Sequence, residues 1–295
     1  MRISATDVLP SSDATSDATS TSTSASASAS ASTSTSTSTS TSTSTSTSTS
    51  TSTSTSTSTS TPVPALTPAA GLRALLSRAS LVLWDFDGPV CGLFAGLRAP
   101  AIAAELRAMA AVRLPHWSEP DEPHDPLAVL RRAHDAVPSD PDGLVSALRK
   151  RLEELETEAA ATAEPTPGAF DLMEALLAAG KQLVIATNNS EAAARAYLEL
   201  HGIEKYFGAV VGRQDDPRLM KPHPYCLERL LAETGTAAAD GLMIGDSPAD
   251  ARAATSIGVP FVGYGTGSVK LLRLRDAGAE YFVADLAAMT EAVGG

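Results

Sequence analysis

Short apolar segments alternate with helical segments through the second half of the chain, from Pro167 onward. The apolar segments are QLVIAT, GAVVG, GLMIGD, VPFVGY and YFVA, and a stretch with helical spacing follows each of them. Strands that are joined through helices pair in parallel, and parallel strands are buried on both faces, which accounts for their continuous apolar composition. The pattern predicts an α/β fold built on a doubly wound parallel sheet.

One further apolar segment lies upstream, in LVLWDFDGPV at residues 81–90. It ends in Asp85 and Asp87, followed by a turn at Gly88-Pro89, which predicts a buried strand and the loop at its carboxyl end. Open α/β sheets bind ligands at that end. An extended chain places Asp85 and Asp87 on one side, where two carboxylates repel each other unless a cation such as Mg²⁺ lies with them. An Asp-rich turn is the alternative interpretation.

The intervening residues are rich in Ala, Leu and Arg and have helical spacing. Helices are expected at 99–112, 126–136 and 140–161, as an all-helical cap at residues 90–163. Residues 80–89 and 164–295 then form the core that contains the sheet, and residues 63–79 form a linker with a helical lead-in.

Residues 1–62 form a Ser/Thr-rich tail that ends in a strict Thr-Ser alternation. It has too few large apolar side chains to offset the entropy of ordering, so we expect disorder. A flexible tether, a phosphorylated tract and a glycosylated stalk are functional interpretations. A tolerated repeat expansion, or a start codon placed too far upstream, is favoured over them.

Charge and hydropathy limit the partners. The formal net charge is -12, which argues against nucleic acid and anionic membranes as partners but allows a small anionic substrate. The chain opens without an apolar leader and contains no run of about 18 apolar residues. We therefore expect a cytoplasmic protein, a monomer or a homodimer, with no membrane partner.

Two more strand ends carry polar residues that suit an anion. Thr187 ends QLVIAT, and a helix begins at Ser190, where backbone N–H groups converge. A simple helix cap is the alternative there. Lys221 stands just before Pro222 at a helix start, where its charge opposes the helix dipole unless an anion is present. A solvated surface lysine is the alternative interpretation.

The segment GLMIGDSPAD ends its strand at Asp246, with Asp250 one helical turn further on. Carboxylates at this spacing share a helix face. Together with Asp85 they would complete an oxygen cage for one Mg²⁺ ion. Helix capping by Asp246 or Ser247 explains the same residues equally well.

The order of these motifs, D-x-D, then Thr, then Lys, then G-D-x-x-x-D, resembles the haloacid dehalogenase-like hydrolase superfamily. The resemblance covers about Leu81 to the carboxyl terminus. The interval from Asp85 to Thr187 is long and that from Thr187 to Lys221 is short. This is similar to members with a helical cap after the first strand, the phosphoglycolate phosphatase-like and β-phosphoglucomutase-like proteins.

The resemblance implies roles for the residues that match its motifs. Asp85 would be the nucleophile that forms an aspartyl-phosphate, and Asp87 would protonate the leaving alkoxide and later take a proton from water. Thr187 and the Asn188 amide would hold phosphoryl oxygens. Lys221 would neutralise charge on the phosphoryl group and on Asp85.

The same resemblance implies Mg²⁺ as the cofactor. Asp85, Asp246 and the main-chain carbonyl of Asp87 would bind the ion, and Asp250 would support it directly or through water. The family usually has Thr or Ser where this chain has Pro89, so the catalytic efficiency or the loop geometry is expected to differ from the family pattern.

The expected function is Mg²⁺-dependent hydrolysis of a small phosphomonoester, a phosphorylated metabolite that is phosphoglycolate-like or sugar-phosphate-like. A phosphomutase of the β-phosphoglucomutase type is an alternative, as is a non-catalytic binding or regulatory protein on the same scaffold. Within the cap, Arg98 and His116 are the candidates for reading a substrate carboxylate or hydroxyl.

Overall fold

The computed structural model describes residues 62–96, 98–114 and 116–294. All of the predicted Ser/Thr-rich tail except Pro62 lies outside these residues. Within the described part of the chain, no helix combines the length and the apolar character needed to cross a membrane.

The secondary structure follows the predicted alternation. The strands are β1 (Leu81–Trp84), β2 (Cys91–Gly92), β3 (Glu164–Pro165), β4 (Gln182–Ala186), β5 (Phe207–Val211), β6 (Gly241–Gly245), β7 (Phe261–Tyr264) and β8 (Tyr281–Val283). The α-helices are α1 (Ala69–Arg78), α2 (Ala99–Arg113), α3 (Pro126–Ala136), α4 (Leu144–Ala160), α5 (Ala169–Ala178), α6 (Glu191–Leu200), α7 (Tyr225–Thr234), α8 (Pro248–Ser256), α9 (Ser268–Asp276) and α10 (Ala287–Gly294).

Six strands form one parallel sheet in the order β5-β4-β1-β6-β7-β8. Strand β1 lies in the middle, with Trp84 beside Ile185 of β4 and Ile244 of β6. The strand order reverses at β1, and ligands of doubly wound folds bind in the crevice at such a reversal. The predicted α/β fold with a doubly wound sheet is confirmed, and the D-x-D segment follows its central strand.

Helices cover both faces of this sheet because the alternating side chains of β1 face opposite ways. Val82 and Trp84 belong to an apolar cluster with helices α1, α5, α6 and α10. Leu81 and Leu83 belong to a second cluster with helices α7, α8 and α9. All four side chains are fully buried. The central strand is thereby packed on both sides, which fixes the position of the D-x-D segment that follows it.

The segment before β1 is attached to the sheet. Thr67 exchanges two hydrogen bonds with Phe282 of β8, one through its backbone N–H at 2.8 Å and one through its hydroxyl at 2.7 Å. Leu72 and Leu76 of α1 are buried in the apolar cluster that also contains α10. The segment predicted as a linker and lead-in therefore covers an edge strand, which protects its unpaired backbone groups.

Helices α2, α3 and α4, which we call the insert, share a separate apolar cluster that includes Leu106, Leu130 and Leu148. The predicted helix at 140–161 begins four residues late, at Leu144. The carboxylate of Asp140 explains this, because it accepts hydrogen bonds from the N–H groups of Val145 and Ser146 and so ends the preceding turn.

A short antiparallel ribbon closes the insert where it leaves and re-enters the core. Strands β2 and β3 pair there, with Cys91 opposite Pro165 and Gly92 opposite Glu164. The sequence analysis missed this ribbon, because strands this short show no periodicity. The ribbon lies at the two boundaries that were predicted for the cap.

Candidate active site

Three of the predicted carboxylates converge at the carboxyl end of the sheet. Asp85 follows β1, Asp246 follows β6, and Asp250 lies in the first turn of α8. One oxygen from each of the three lies within 4.8 Å of the others. Asp85 is 7% exposed and Asp250 is fully buried. Adjacent strand ends thus concentrate negative charge in a place that excludes most water.

Lys221 lies at the centre of this group and is only 2% exposed. Its Nζ is 2.8 Å from Oδ1 of Asp85, 2.6 Å from Oδ1 of Asp250 and 2.7 Å from the carbonyl oxygen of Ala186. Burial lowers the pKa of Lys221, but the charges of Asp250 and Asp85 outweigh it and hold that pKa above its ordinary value. The surface interpretation of this lysine is therefore excluded, and its ammonium group bridges two carboxylates.

Burial also changes the acidity of the two aspartates after β1. Loss of solvent and the neighbouring charge of Asp250 raise the pKa of Asp85 well above its ordinary value, although Lys221 opposes them. Burial raises the pKa of Asp87 to about 7, against a hydrogen bond that its Oδ1 accepts from the N–H of Leu93 at 2.9 Å. Asp87 can therefore hold or release a proton near neutral pH.

Asp246 has a partner that the sequence analysis missed. Nζ of Lys270 lies 2.7 Å from Oδ2 of Asp246. Burial raises the pKa of Asp246, and the charge of Lys270 opposes that rise. A glycine makes room for each side chain: a Cβ on Gly88 would lie 2.5 Å from Cγ of Asp246, and one on Gly265 would lie 2.6 Å from Cδ of Lys270.

The turn after Asp87 needs glycine for a second reason. Gly88 has a φ of +115°, in the region that L side chains avoid. Its N–H donates to the carbonyl of Cys91 at 2.7 Å. The neighbouring Pro89 is buried and has no hydroxyl, and the hydroxyl of Thr166 donates to the Gly88 carbonyl. The turn is therefore closed with a proline at the position where the family pattern has Thr or Ser.

Asp250 contacts both the amino-terminal cap of α8 and the ammonium group of Lys221. Its Oδ2 accepts from the N–H groups of Asp246 and Ser247, and from the Ser247 hydroxyl at 2.8 Å. The Ser247 side chain in turn caps α8 by accepting from the N–H of Asp250. The helix cap expected from Ser247 is therefore present, and Oδ2 of Asp250 serves that cap while its Oδ1 faces Lys221.

Residues 187–190, which we call the Thr187 loop, connect β4 to α6. The Thr187 hydroxyl, which was predicted to hold a phosphoryl oxygen, donates to Oδ1 of Asn189 at 3.0 Å. The Asn188 amide forms two bonds with the backbone of Lys221, donating to its carbonyl at 3.0 Å and accepting from its N–H at 2.8 Å. The loop thus links two of the predicted motifs through the backbone of Lys221.

A buried ion pair supports the same loop from the insert. Glu156 of α4 is fully buried, and its two oxygens face the guanidinium of Arg213 at 2.8 and 2.9 Å. The N–H of Ser190 donates to Oε2 of Glu156 at 2.9 Å. The anion position predicted at the start of α6 is therefore taken by a carboxylate of the chain itself.

A cavity of about 600 Å³ lies between this group and the insert. Predicted site residues that line it are Asp85, Asp87, Asn188, Lys221, Asp246 and Asp250. The insert side contributes Asp121, Glu122, His124 and Asp125, together with Phe94 and Leu127. Arg98 and His116 are exposed and are not among the described residues of the cavity wall. The structure thus brings these six core residues to one cavity, whereas the buried Thr187 and the two exposed cap candidates are not among the described residues of its wall.

The three converging carboxylates fit a magnesium ion. They are hard oxygen donors, the type of ligand that Mg²⁺ prefers. Oδ1 of Asp250 is buried, and although it faces the Lys221 ammonium it accepts no well-aligned hydrogen bond. Such an oxygen retains bonding capacity for a cation. The carboxylate of Asp87 lies outside the group of three.

Lys270, Glu156 and Arg213 are the residues that the sequence analysis missed. For two of them, the position in the sequence could have indicated a role. Lys270 lies in the first turn of α9, where a positive charge opposes the helix dipole, and the same argument from sequence drew attention to Lys221. Glu156 falls four residues after Leu152 on the buried side of α4, where a charge is costly without a partner.

Comparisons with known proteins show what this chain is similar to. The model of the haloacid dehalogenase-like hydrolase family matches residues 80–258. A phosphoglycolate phosphatase of Rhodospirillum rubrum is 39% identical over 133 residues, which are 45% of this chain and 54% of that protein. The chain therefore spans about half the length of the curated relatives it matches.

Solved structures share the fold. A crystal structure described as a predicted phosphoglycolate phosphatase from Haemophilus somnus 129pt has a TM-score of 0.52 at 22% identity, covering 72% of this chain and 97% of that one. A phosphatase structure from Clostridium acetobutylicum, also described as predicted, has a TM-score of 0.54 at 18% identity, with the same coverage. With a family model that matches most of the chain and the motif residues in one site, this chain belongs to the haloacid dehalogenase-like hydrolase family.

Proposed function

We propose that this chain is a Mg²⁺-dependent phosphatase that hydrolyses a small phosphomonoester through an aspartyl-phosphate on Asp85. The observation that carries the proposal is the contact of Lys221 with both Asp85 and Asp250, beside a cavity. A buried cation that bridges two carboxylates suits a site where a phosphoryl group adds further negative charge. The phosphoglycolate phosphatases among the relatives support the same reaction class.

Each step of the proposed reaction has a residue to perform it. A carboxylate oxygen of Asp85 attacks phosphorus as the bond from phosphorus to the ester oxygen breaks, and the protonated Asp87 gives its proton to the leaving alkoxide. Asp87 then takes a proton from the water that attacks the aspartyl-phosphate, which releases phosphate and restores Asp85. Lys221 neutralises charge on Asp85 and on the phosphoryl oxygens in both steps.

Asp85, Asp246 and Asp250 would hold Mg²⁺, with the Asp87 carbonyl as a further ligand. When bound, the ion would screen the phosphoryl oxygens from the carboxylates. Lys221 would then remain between Asp85 and Asp250 as the second source of positive charge.

Stability measurements at several pH values test the metal site. Burial raises the pKa of Asp87 from 3.8 to about 7, so between these values the folded protein holds a proton that the unfolded chain has lost. The stability of the metal-free protein should therefore fall as the pH rises through that window. Mg²⁺ binds ionised carboxylates, and burial raises the pKa of its proposed ligands Asp85 and Asp246, so its stabilising effect should grow as the pH rises.

The measurement is thermal unfolding with and without Mg²⁺, from about pH 5 to about pH 8. The Asp246→Asn variant is the control, in which the Mg²⁺-dependent rise in melting temperature should shrink at every pH. A rise that does not change with pH, or that persists in full in this variant, would contradict the proposed ligands.

The cavity wall supports a neutral, hydroxyl-bearing leaving group, as in a sugar or polyol phosphate. Among the described residues that line the cavity, Lys221 is the one Lys or Arg, and it already contacts two carboxylates. Asp121 and Glu122 bring negative charge from the insert. The carboxylate of phosphoglycolate would meet like charges here, whereas hydroxyl groups can donate to them.

A panel of substrates tests this preference in the presence of Mg²⁺. We expect kcat/KM for glycerol 3-phosphate or glucose 6-phosphate to exceed that for 2-phosphoglycolate by about tenfold or more. Glu122→Gln should bring the kcat/KM values for these substrates closer together, because it removes one of the charges that repel the carboxylate of 2-phosphoglycolate. Glu119→Gln is the matched control, because Glu119 is a nearby exposed glutamate that pairs with Arg107. A clear preference for 2-phosphoglycolate would reject the sugar- or polyol-phosphate class.

A further inference from the structure

Glu156 occupies an unusual position for a charged residue. It lies on the apolar side of α4 and is fully buried, and both of its carboxylate oxygens are engaged. Oε1 accepts from Arg213 at 2.8 Å and from Nδ2 of Asn189 at 3.2 Å, while Oε2 accepts from Arg213 and from the N–H of Ser190, each at 2.9 Å. This carboxylate therefore has a complete set of donors and no solvent.

Arg213 contacts the same loop from the core. Its side chain is 1% exposed, and its NH1 group also donates to the carbonyl of Asn188 at 3.0 Å. Its backbone N–H donates to the carbonyl of Asn189 at 2.8 Å. Glycine precedes it, and a Cβ on Gly212 would lie 2.4 Å from the nitrogen of Glu191. The close approach of the two segments thus depends on that glycine.

The pair of Glu156 and Arg213 contacts three consecutive residues of the Thr187 loop: Asn188, Asn189 and Ser190. Asn189 connects the ion pair to Thr187, because its Nδ2 donates to Glu156 while its Oδ1 accepts from the Thr187 hydroxyl. The orientation of this amide therefore depends on the carboxylate. The two opposite charges cancel, so the buried glutamate adds little repulsion against a phosphoryl group in the cavity.

We propose that Glu156 and Arg213 are positioning residues that hold Thr187 and Asn188 in place for the phosphoryl group. A buried ion pair gains little stability over well-packed apolar side chains, so its value lies in the geometry that it imposes. The pair also ties helix α4 of the insert to the Thr187 loop. This inference rests on the proposed function, because it assigns the loop to phosphate binding.

The test compares Glu156→Gln with the wild type in Mg²⁺, by p-nitrophenyl phosphate kinetics and by calorimetric binding of inorganic phosphate. The amide keeps the shape but turns a donor toward Arg213 or toward the loop. We expect KM and the dissociation constant of phosphate to rise about tenfold, with kcat changed by less than about threefold. A merely structural role would lower the melting temperature without changing the phosphate affinity of the folded protein.

Two further variants sharpen the result. Arg213→Lys keeps the positive charge but loses the paired donors, and should weaken phosphate binding in the same direction even where Glu156→Gln folds poorly. Asp215→Asn is the matched control, because the Arg149–Asp215 ion pair also joins α4 to the segment after β5 but lies at the surface. This control should leave the phosphate affinity unchanged.

Phosphate affinities within twofold of the wild type in both folded positioning variants would overturn the inference. An equal loss of affinity in Asp215→Asn would also overturn it, since docking of the insert would then explain the effect. A wild type that binds phosphate but releases none from esters would refute the proposed function alone, and the binding constants would still decide this inference. A wild type that binds no phosphate would refute both.

Discussion

Asp85→Asn should abolish phosphate release from p-nitrophenyl phosphate, with a loss of activity on the order of 10⁴-fold or more. The amide is not a nucleophile toward phosphorus, so neither the aspartyl-phosphate nor its hydrolysis can occur. The fold should survive, because the substitution removes a carboxylate whose pKa burial and Asp250 already raise. Lys221 keeps its contacts with Asp250 and with the Ala186 carbonyl.

The measurements are steady-state release of phosphate and the melting temperature without Mg²⁺. Asp171→Asn, an exposed aspartate on α5, is the control and should retain full activity. Residual activity of Asp85→Asn above a few per cent of the wild type would contradict the assignment of the nucleophile. Loss of the folded state in this variant would contradict the expectation that Asp85 serves the reaction at the expense of stability.

Asp250→Asn, unlike Asp85→Asn, should lower both the stability of the folded protein and its activity. Asp250 is fully buried, accepts three hydrogen bonds through Oδ2 and faces Lys221 at 2.6 Å through Oδ1. An asparagine must direct its NH₂ group either at the ammonium or at the N–H donors. Breaking one side of a buried ion pair should lower the free energy of unfolding by about 3–5 kcal/mol.

Denaturant unfolding of the metal-free protein measures this difference directly. Asp250→Asn should unfold at a clearly lower denaturant concentration than either the wild type or Asp85→Asn, and its Mg²⁺-dependent activity should fall as well. Equal unfolding midpoints for Asp250→Asn and Asp85→Asn would show that the contact of Asp250 with Lys221 does not stabilise the folded protein. In that case its place in the helix cap alone would explain the geometry of Asp250.

Much of the fold could be predicted because it depends on local patterns. Short apolar runs separated by helical stretches predict buried parallel strands, and all six strands of the sheet fall close to the predicted segments. The errors lie where side chains override periodicity. Asp140 delays the start of α4, and the β2–β3 ribbon contains too few residues for any period to be visible.

The core residues of the site could be predicted from the sequence for a related reason. Parallel strands present their carboxyl ends at one edge of the sheet, so polar residues that follow several strands must come close together. This brings Lys221 to Asp85 across 136 positions of the chain. The candidates in the insert failed to reach the cavity because no comparable rule relates one face of a helical insert to the sheet beneath it. Arg98 and His116 are exposed as a result.

By itself, the sequence determined the sheet, the strand ends and the set of core residues gathered there, since each follows from the periodicity of apolar side chains and from the direction of parallel strands. Only the tertiary structure decided which charges neutralise which. Glu156 meets Arg213 across 57 positions, and Lys270 meets Asp246 across 24. Such pairs depend on the packing of α4 and α9 against the core, where desolvation makes an unpaired charge costly and therefore selects a partner.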